Sequence, residues 1–333
     1  VKEITSLVTG GAGFIGSHLV DNLVKQRHKV VVLDDLSGGF ETNVNSEAIF
    51  IHGSILNNQL VDELFREYNF TYVFHLAAYA AEGLSHFIRR FNYQNNVIGS
   101  VNLINASVKF KVKRFVFTSS IAVYGSVNPP YIENQTPEPE DPYGIAKYAI
   151  EMDLRAANTM FGLDYVIFRP HNVFGERQNI ADPYRNVVGI FMNQSLQGSP
   201  LTVFGNGEQS RAFSYIADVV PLIANSVNID SAKNQVFNIG SDSTKTINEL
   251  IEALEDVTHR AYQVKYYPKR KEVTHAFADH SKLKSVFTQA KTTTTLAQGL
   301  RQMWQWVEQQ GAQETTKFES IELTKNLPNS WKQ

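Results

Sequence analysis

Tyr143 and Lys147 stand four residues apart, just after Asp141-Pro142. Proline suits the first turn of a helix, so the two side chains share one helical face. Tyrosine, with an ordinary pKa of about 10, is a poor base at neutral pH, and lowering it by about three units takes about 4 kcal/mol of preference for the phenolate. A neighbouring ammonium and a second positive charge could supply that preference. Thr118-Ser119-Ser120 closes an apolar run that reads as a strand. A hydroxyl at such a strand end can pass a proton between a substrate alcohol and Tyr143. A Tyr-x-x-x-Lys pair is common by chance, so its meaning depends on the elements that hold it.

The most telling of these is Thr9-Gly10-Gly11-Ala12-Gly13-Phe14-Ile15-Gly16. It lies between a strand-like run, Ile4 to Thr9, and a helical stripe of Ile15, Leu19, Val20 and Leu23. Gly11, Gly13 and Gly16 fall on the Gly-x-Gly-x-x-Gly spacing of a dinucleotide turn, where the helix N-terminus faces a pyrophosphate. Chance glycines in a structural turn would lack the acid that follows. Asp34 closes a second strand, Val30 to Leu33, about 20 residues on, where such folds bind the adenosine ribose diol. An acid there repels a 2′-phosphate, which favours NAD over NADP.

Further strand-like runs are Ala48 to His52, Tyr72 to Leu76, Arg114 to Thr118, Tyr165 to Arg169 and Gln235 to Ile239, with room for crossover helices between them. The expected fold is α/β: a doubly wound parallel Rossmann-type sheet of about seven strands with a smaller mixed α/β substrate-binding domain. The expected division is 1–173, with about 212–240 returning, for NAD, and 174–211 with 241–333 for substrate. Two helical stripes, Val97 to Val108 and Tyr143 to Ala157, could cover the sheet or pair with a second subunit. The tail beyond Gln313 carries no pattern that assigns it a role.

The 333 residues are 43% hydrophobic with a formal net charge of -2, ordinary for a globular protein and without a basic field for nucleic acid or anionic membrane. The absence of cysteine excludes disulfides, thiolate nucleophiles and cysteine-ligated metals. No apolar run reaches the length of a membrane span, and residues 1–30 are taken up by the nucleotide unit, so a cytoplasmic location is expected. The nine histidines show no ligand spacing, no metal is expected, and His75, His171 and His275 read as packing or hydrogen-bonding residues.

Together these motifs resemble the extended short-chain dehydrogenase/reductases of the nucleotide-sugar branch, most of all the UDP-hexose 4-epimerases, from about Ile4 to Asp279. The resemblance implies Ser120, Tyr143 and Lys147 as catalytic residues. For NAD it implies Gly10, Gly13, Phe14, Ile15, Gly16, Asp34, Ser54, Ile55, Leu76, Ala77, Ala78 and Asn96, with Tyr143 and Lys147 at the nicotinamide end. For the UDP-sugar it implies Ser120, Asn172, Leu201, Val203, Phe204, Arg211, Arg270 and Ala276, and it implies a homodimer. Ser54 stands where the family usually carries an acid for adenine, and Ala212 where an aspartate follows the arginine. Near Arg270 the chain is one residue shorter than the common pattern, so Lys269 competes for the phosphate role.

The branch shares oxidation at C4, and additional acids and bases divide its reactions. Ile121-Ala122 stands where the dehydratases carry Asp-Glu and where a glucuronate decarboxylase carries glutamate, and the cysteine of the fucose-pathway enzymes is absent. Hydride out and hydride back remains, giving C4 epimerisation of UDP-glucose and UDP-galactose. Ala276 stands where a tyrosine blocks N-acetylated sugars, which extends the expectation to UDP-N-acetylhexosamines. Two alternatives are a UDP-glucuronate 4-epimerase, with His86, Arg89 or Arg90 on the carboxylate, and a non-catalytic nucleotide-sugar-binding protein.

Overall fold

A computed structural model describes residues 3–269, 273–288 and 293–331. Seven strands form the central sheet: β1 (Thr5–Thr9), β2 (Lys29–Asp34), β3 (Ile49–His52), β4 (Tyr72–His75), β5 (Arg114–Thr118), β6 (Tyr165–Pro170) and β7 (Gln235–Ile239). All pairings are parallel and the spatial order is β3-β2-β1-β4-β5-β6-β7. The expected seven-stranded doubly wound sheet is therefore present. Its order reverses between β1 and β4, and such a switch point opens a crevice at the carboxyl ends of the strands.

Alternation along the strands builds the layers. Leu7, Val31, Phe115, Phe117 and Ile167 point to one face, under the helices Asn58–Tyr68, Gly99–Lys109 and Pro142–Phe161. Val8, Val32, Val116, Val166 and Phe168 point to the other, under the helices Phe14–Lys25 and Ile216–Asn225. Each fully buried side chain of this size stabilises by roughly 1.5–3 kcal/mol before entropy is counted.

Between β6 and β7, and again after β7, the chain builds a smaller lobe. It contains the helices Val187–Leu196, Ile247–Thr258 and Leu296–Gln310. It also contains a parallel pair, Leu201–Phe204 with Val264–Tyr267, and a ladder of Thr244–Thr246, Ser210–Ala212 and His275–Ala276. The core on the second sheet face continues into this lobe through Phe191, Leu250, Leu300 and Trp304, so one apolar body joins the two. Among the described residues, no helix is long and apolar enough to cross a membrane.

Candidate active site

A cavity of about 1350 Å³ runs along the carboxyl ends of the strands and between the lobes. At one end lies the glycine turn. Gly10 has φ +73°, which favours glycine, and a Cβ there would lie 2.7 Å from the Ala77 nitrogen. A Cβ on Gly16 would lie 2.0 Å from the Gly10 carbonyl oxygen, so only glycine lets the helix come this close. Gly10, Gly13, Phe14, Ile15 and Gly16 line the cavity, whereas Gly11 is packed with its Cα against Val32. The working spacing is thus Gly10-x-x-Gly13-x-x-Gly16 rather than one that starts at Gly11.

Asp34 sits at the end of β2 on the cavity wall, accepting from the Ala12 amide at 3.0 Å and the Leu36 amide at 2.9 Å. Burial raises its pKa, and these hydrogen bonds oppose the rise. An open glycine cradle, a helix start without a side-chain cap and a braced carboxylate fit an adenine dinucleotide. Gly53 and Ile55 supply an apolar wall beyond Asp34, and Leu76, Ala77 and Ala78 line the cavity beyond β4.

The long helix Pro142–Phe161 starts at Asp141, whose carboxylate accepts from the Gly144 amide at 2.9 Å, and ends at Gly162 with φ +73°. Tyr143, Lys147 and Glu151 follow one another on its buried face. Lys147 Nζ donates to the Thr118 carbonyl at 2.8 Å and lies 5.8 Å from the Tyr143 ring centroid. Burial lowers its pKa to about 7, with Glu151 pulling the other way. Burial pushes the Tyr143 hydroxyl up, and a hydrogen bond with Ser120 opposes this. Glu151 accepts from Ser119 Oγ at 2.6 Å and from Arg169 Nε at 2.9 Å, which fixes the backbone that carries Ser120. Ser120, Tyr143 and Lys147 converge on the cavity wall.

At the opposite end, Asn172 (φ +40°), Val203, Phe204, Arg211 and Ala276 also line the cavity. The Phe204 ring stacks on Tyr267 at 5.5 Å, and Arg211 is held by the Val273, Ser210 and Thr274 carbonyls at 2.8–3.0 Å. Behind Asn172, His171 Nδ1 meets the Ala212 carbonyl at 3.0 Å and must donate. Burial lowers the His171 pKa to about 4, so the ring is neutral and its Nε2 accepts from His280 Nε2 at 2.9 Å. On its other side His280 Nδ1 meets the Asp242 carboxylate at 2.7 Å.

Three expected residues stand off the wall. Leu201 is fully buried in the core; in this strand Thr202, Val203 and Phe204 reach the cavity. Asn96 is buried in a π-helical turn, where it accepts from the Tyr79 amide at 3.0 Å and donates to Asn92 at 2.8 Å; its neighbour Asn95 reaches the cavity. Ser54 accepts from the Leu56 amide at 3.3 Å, and Gly53 and Ile55 take the wall on either side. Arg270 lies outside the described residues, while Lys269 is on the wall. His86 reaches the cavity; Arg89 and Arg90 are exposed and do not line it.

Other wall residues were not anticipated: Tyr79, Tyr184 and Arg185, and the tail residues Leu323, Lys325, Asn326, Asn329 and Trp331. The tail is anchored by the Gln313 amide on Asn193 at 2.9 Å, the Phe318 amide on Tyr184 Oη at 3.2 Å, and Glu322 accepting from the Arg90 and Phe91 amides at 2.9 Å. Trp331 and Leu327 bury against Ala81, Leu84 and Ile88. The available signal was Phe318, Ile321 and Trp331 in an otherwise polar tract.

Residues 6–240 match the NAD dependent epimerase/dehydratase family. The chain belongs to this family. A relative from Methanocaldococcus jannaschii, described as a putative UDP-glucose 4-epimerase, is 34% identical over 90% of this chain and 97% of its own. A UDP-N-acetyl-alpha-D-glucosaminuronate decarboxylase of Bacillus cytotoxicus is 31% identical over 90% of this chain and 96% of its own. The crystal structure of the Thermotoga maritima UDP-glucose 4-epimerase with UDP-glucose superposes with a TM-score of 0.87 at 35% identity, covering 92% of this chain and 99% of that one. NAD is thus the family's cofactor, and its members act on UDP-sugars by more than one reaction.

Proposed function

We infer that this enzyme inverts C4 of a UDP-hexose, UDP-glucose and UDP-galactose and also their N-acetylamino counterparts, through a 4-keto sugar. The observation that carries the reading is the convergence of Ser120, Tyr143 and Lys147 on a cleft with a nucleotide cradle at one end and an arginine-flanked aromatic wall at the other. Bound NAD supplies a reversible hydride acceptor and a cationic ring. Tyr143 Oη takes the proton of the sugar 4-hydroxyl, with Ser120 Oγ as the hydrogen-bonded relay. Lys147, locked on the Thr118 carbonyl, favours the phenolate and orients the ring. The stacked Phe204 and Tyr267 rings offer an aromatic wall to the uracil, and Arg211, held by three backbone carbonyls, presents a fixed positive charge to the diphosphate. Inversion requires the 4-keto sugar to turn its other face while that diphosphate stays held.

The residue at 122 is alanine, so no glutamate stands there to assist decarboxylation. Ala276 faces the cavity in a cluster with Val123, Tyr124 and Tyr131, and its methyl takes less space there than a tyrosine would, which supports acceptance of an N-acetyl group. With Arg89 and Arg90 outside the cavity, two of the three side chains that could meet a uronate carboxylate are off the wall, which favours the neutral sugar. Exposed Ile98, Ile145 and Met152 on neighbouring helices supply the apolar face for a second copy, giving a homodimer.

A proton NMR time course without added NAD, run separately on UDP-galactose, UDP-N-acetylgalactosamine and UDP-glucuronate, tests the reading. Conversion of the first two to their C4 epimers is expected; no conversion of any of them, even after NAD is added, overturns it. Ala276→Tyr should abolish N-acetyl turnover and spare UDP-galactose; unchanged N-acetyl rates would remove Ala276 from that role.

A further inference from the structure

The nucleotide cradle is roofed from the other lobe. Gly38 and Gly39 follow β2, and their turn rests directly on the glycine-rich loop. A Cβ on Gly39 would lie 2.7 Å from the Gly13 nitrogen and 2.5 Å from the Ala12 carbonyl oxygen, and the Phe40 amide donates to that oxygen at 3.0 Å. Arg185 meets this turn from the segment that leads into helix Val187–Leu196. A Cβ on Gly38 would find its Nη2 at 3.2 Å and its Nη1 at 3.6 Å. The guanidinium therefore spans the cleft beside the phosphate cradle.

Its posture is enforced from three sides. Asp182 Oδ2 accepts from Nε at 2.6 Å, which leaves the Nη end directed at the turn. The guanidinium carbon sits 4.8 Å above the Tyr79 ring, and Tyr79 is itself tied through both backbone groups to Asn96. Tyr184, the preceding residue, is wedged against Trp331 at 5.2 Å. Arg185 lines the cavity, and its charge reaches Tyr143, where it acts to lower the hydroxyl pKa. A single ion pair at the cleft rim explains contact with Asp182, but not a fork held over glycine backbone on the opposite lobe.

We propose that Arg185 is a clasp on the diphosphate of bound NAD, reaching across the cleft to slow release of the dinucleotide. The helix N-terminus alone offers about half a positive charge to a dianionic diphosphate. The Arg185 guanidinium, although paired through Nε with Asp182, adds two Nη donors that match two phosphate oxygens. The inference rests on the reading that hydride leaves and returns within one turnover, because only a retained dinucleotide can give back what it took. The chain needs that retention whichever sugar it accepts.

The test compares wild type, Arg185→Met and Arg185→Lys. Methionine keeps an unbranched stem over Tyr79, and thermal unfolding checks that each variant is folded. Bound NAD is released by denaturation and quantified, and its release rate is followed by mass spectrometry as isotopically labelled NAD replaces it. UDP affinity is measured in parallel. The clasp predicts release at least about tenfold faster in Arg185→Met, a loss of about 1.4 kcal/mol, with Arg185→Lys between and UDP affinity unchanged. It also predicts that added salt speeds release from wild type but not from Arg185→Met. Equal release rates overturn it, as does a loss confined to UDP affinity, which would assign Arg185 to the substrate diphosphate. Faster release from Arg185→Met together with no epimerisation by wild type would uphold the clasp and overturn the proposed reaction. Wild type that binds no NAD would overturn both.

Discussion

In the proposed reaction Tyr143 acts as a base where burial disfavours its phenolate, so the site must supply compensating charge. In that reading Lys147 contributes alongside Arg185, and it is placed by backbone rather than by a carboxylate: its donor goes to the Thr118 carbonyl, 5.8 Å from the Tyr143 ring centroid. Glu151, one turn further, is engaged by Arg169 and Ser119, so it holds the serine strand end without quenching Lys147 directly. Tyr143→Phe removes the proton carrier and little volume. Its kcat should fall by about 10²–10⁴-fold while bound NAD per protein stays at the wild-type level, read by denaturation and absorbance.

Two elements determine the shape of the site beyond these residues. The tail folds back from Gly311 as a strap, and Trp331 packs edge-on against Phe87 and Tyr184 near the cavity mouth. Trp331→Ala should cost roughly 3 kcal/mol of local packing. The expected signature is faster tryptic cleavage at Lys317 and Lys325 and a raised KM, with global unfolding only slightly earlier. The second element is the loop around His171 and Asn172, braced from behind by His280, Asp242 and Lys284. Burial pushes the Asp242 pKa up, but pairing with Lys284 and His280 outweighs it and the net shift is downward. A depressed carboxyl pKa contributes stability above its unfolded value of about 3.9, and that contribution is lost as pH falls through the folded value. Asp242→Asn should therefore lower Tm at pH 7, and the gap should close as the pH is taken below about 4.

At the scale of the whole molecule, the cleft exists because the chain leaves the sheet after β6, builds part of a second lobe, and returns for β7. The continuous core through Phe168, Phe191, Phe237 and Leu300 makes the two lobes one mechanical body, so cradle and aromatic wall are held at a set separation. On the opposite side, Ile98, Ile145 and Met152 are about half exposed, an arrangement that a second copy would cover. Met152→Glu should convert a dimer to a monomer in sedimentation velocity and leave the monomer folded by circular dichroism. A wild-type monomer would remove the homodimer from the proposal.

Local chemistry made much of this legible in the chain. The span Arg114–Thr118 of β5 and Gln235–Ile239 of β7 follow from β-branched and aromatic runs. Asp141-Pro142 and Gly162 mark the ends of the long helix, because caps and proline act within a turn of where they stand. The pairing of Tyr143 with Lys147 is likewise a matter of helical pitch. What needed the tertiary structure is whatever depends on distant backbone. Gly10 rather than Gly11 faces the cavity because Gly11 packs on Val32 of β2 while the Leu76-Ala77 segment after β4 closes on Gly10, and Leu201 turns inward where its strand pairs with Val264–Tyr267. Asn96 is diverted from the wall by Tyr79. Arg185 and Trp331 carry no motif; each gains its place from contacts across more than a hundred residues of chain, with Gly38 and with Phe87, and no local pattern encodes a partner that far away.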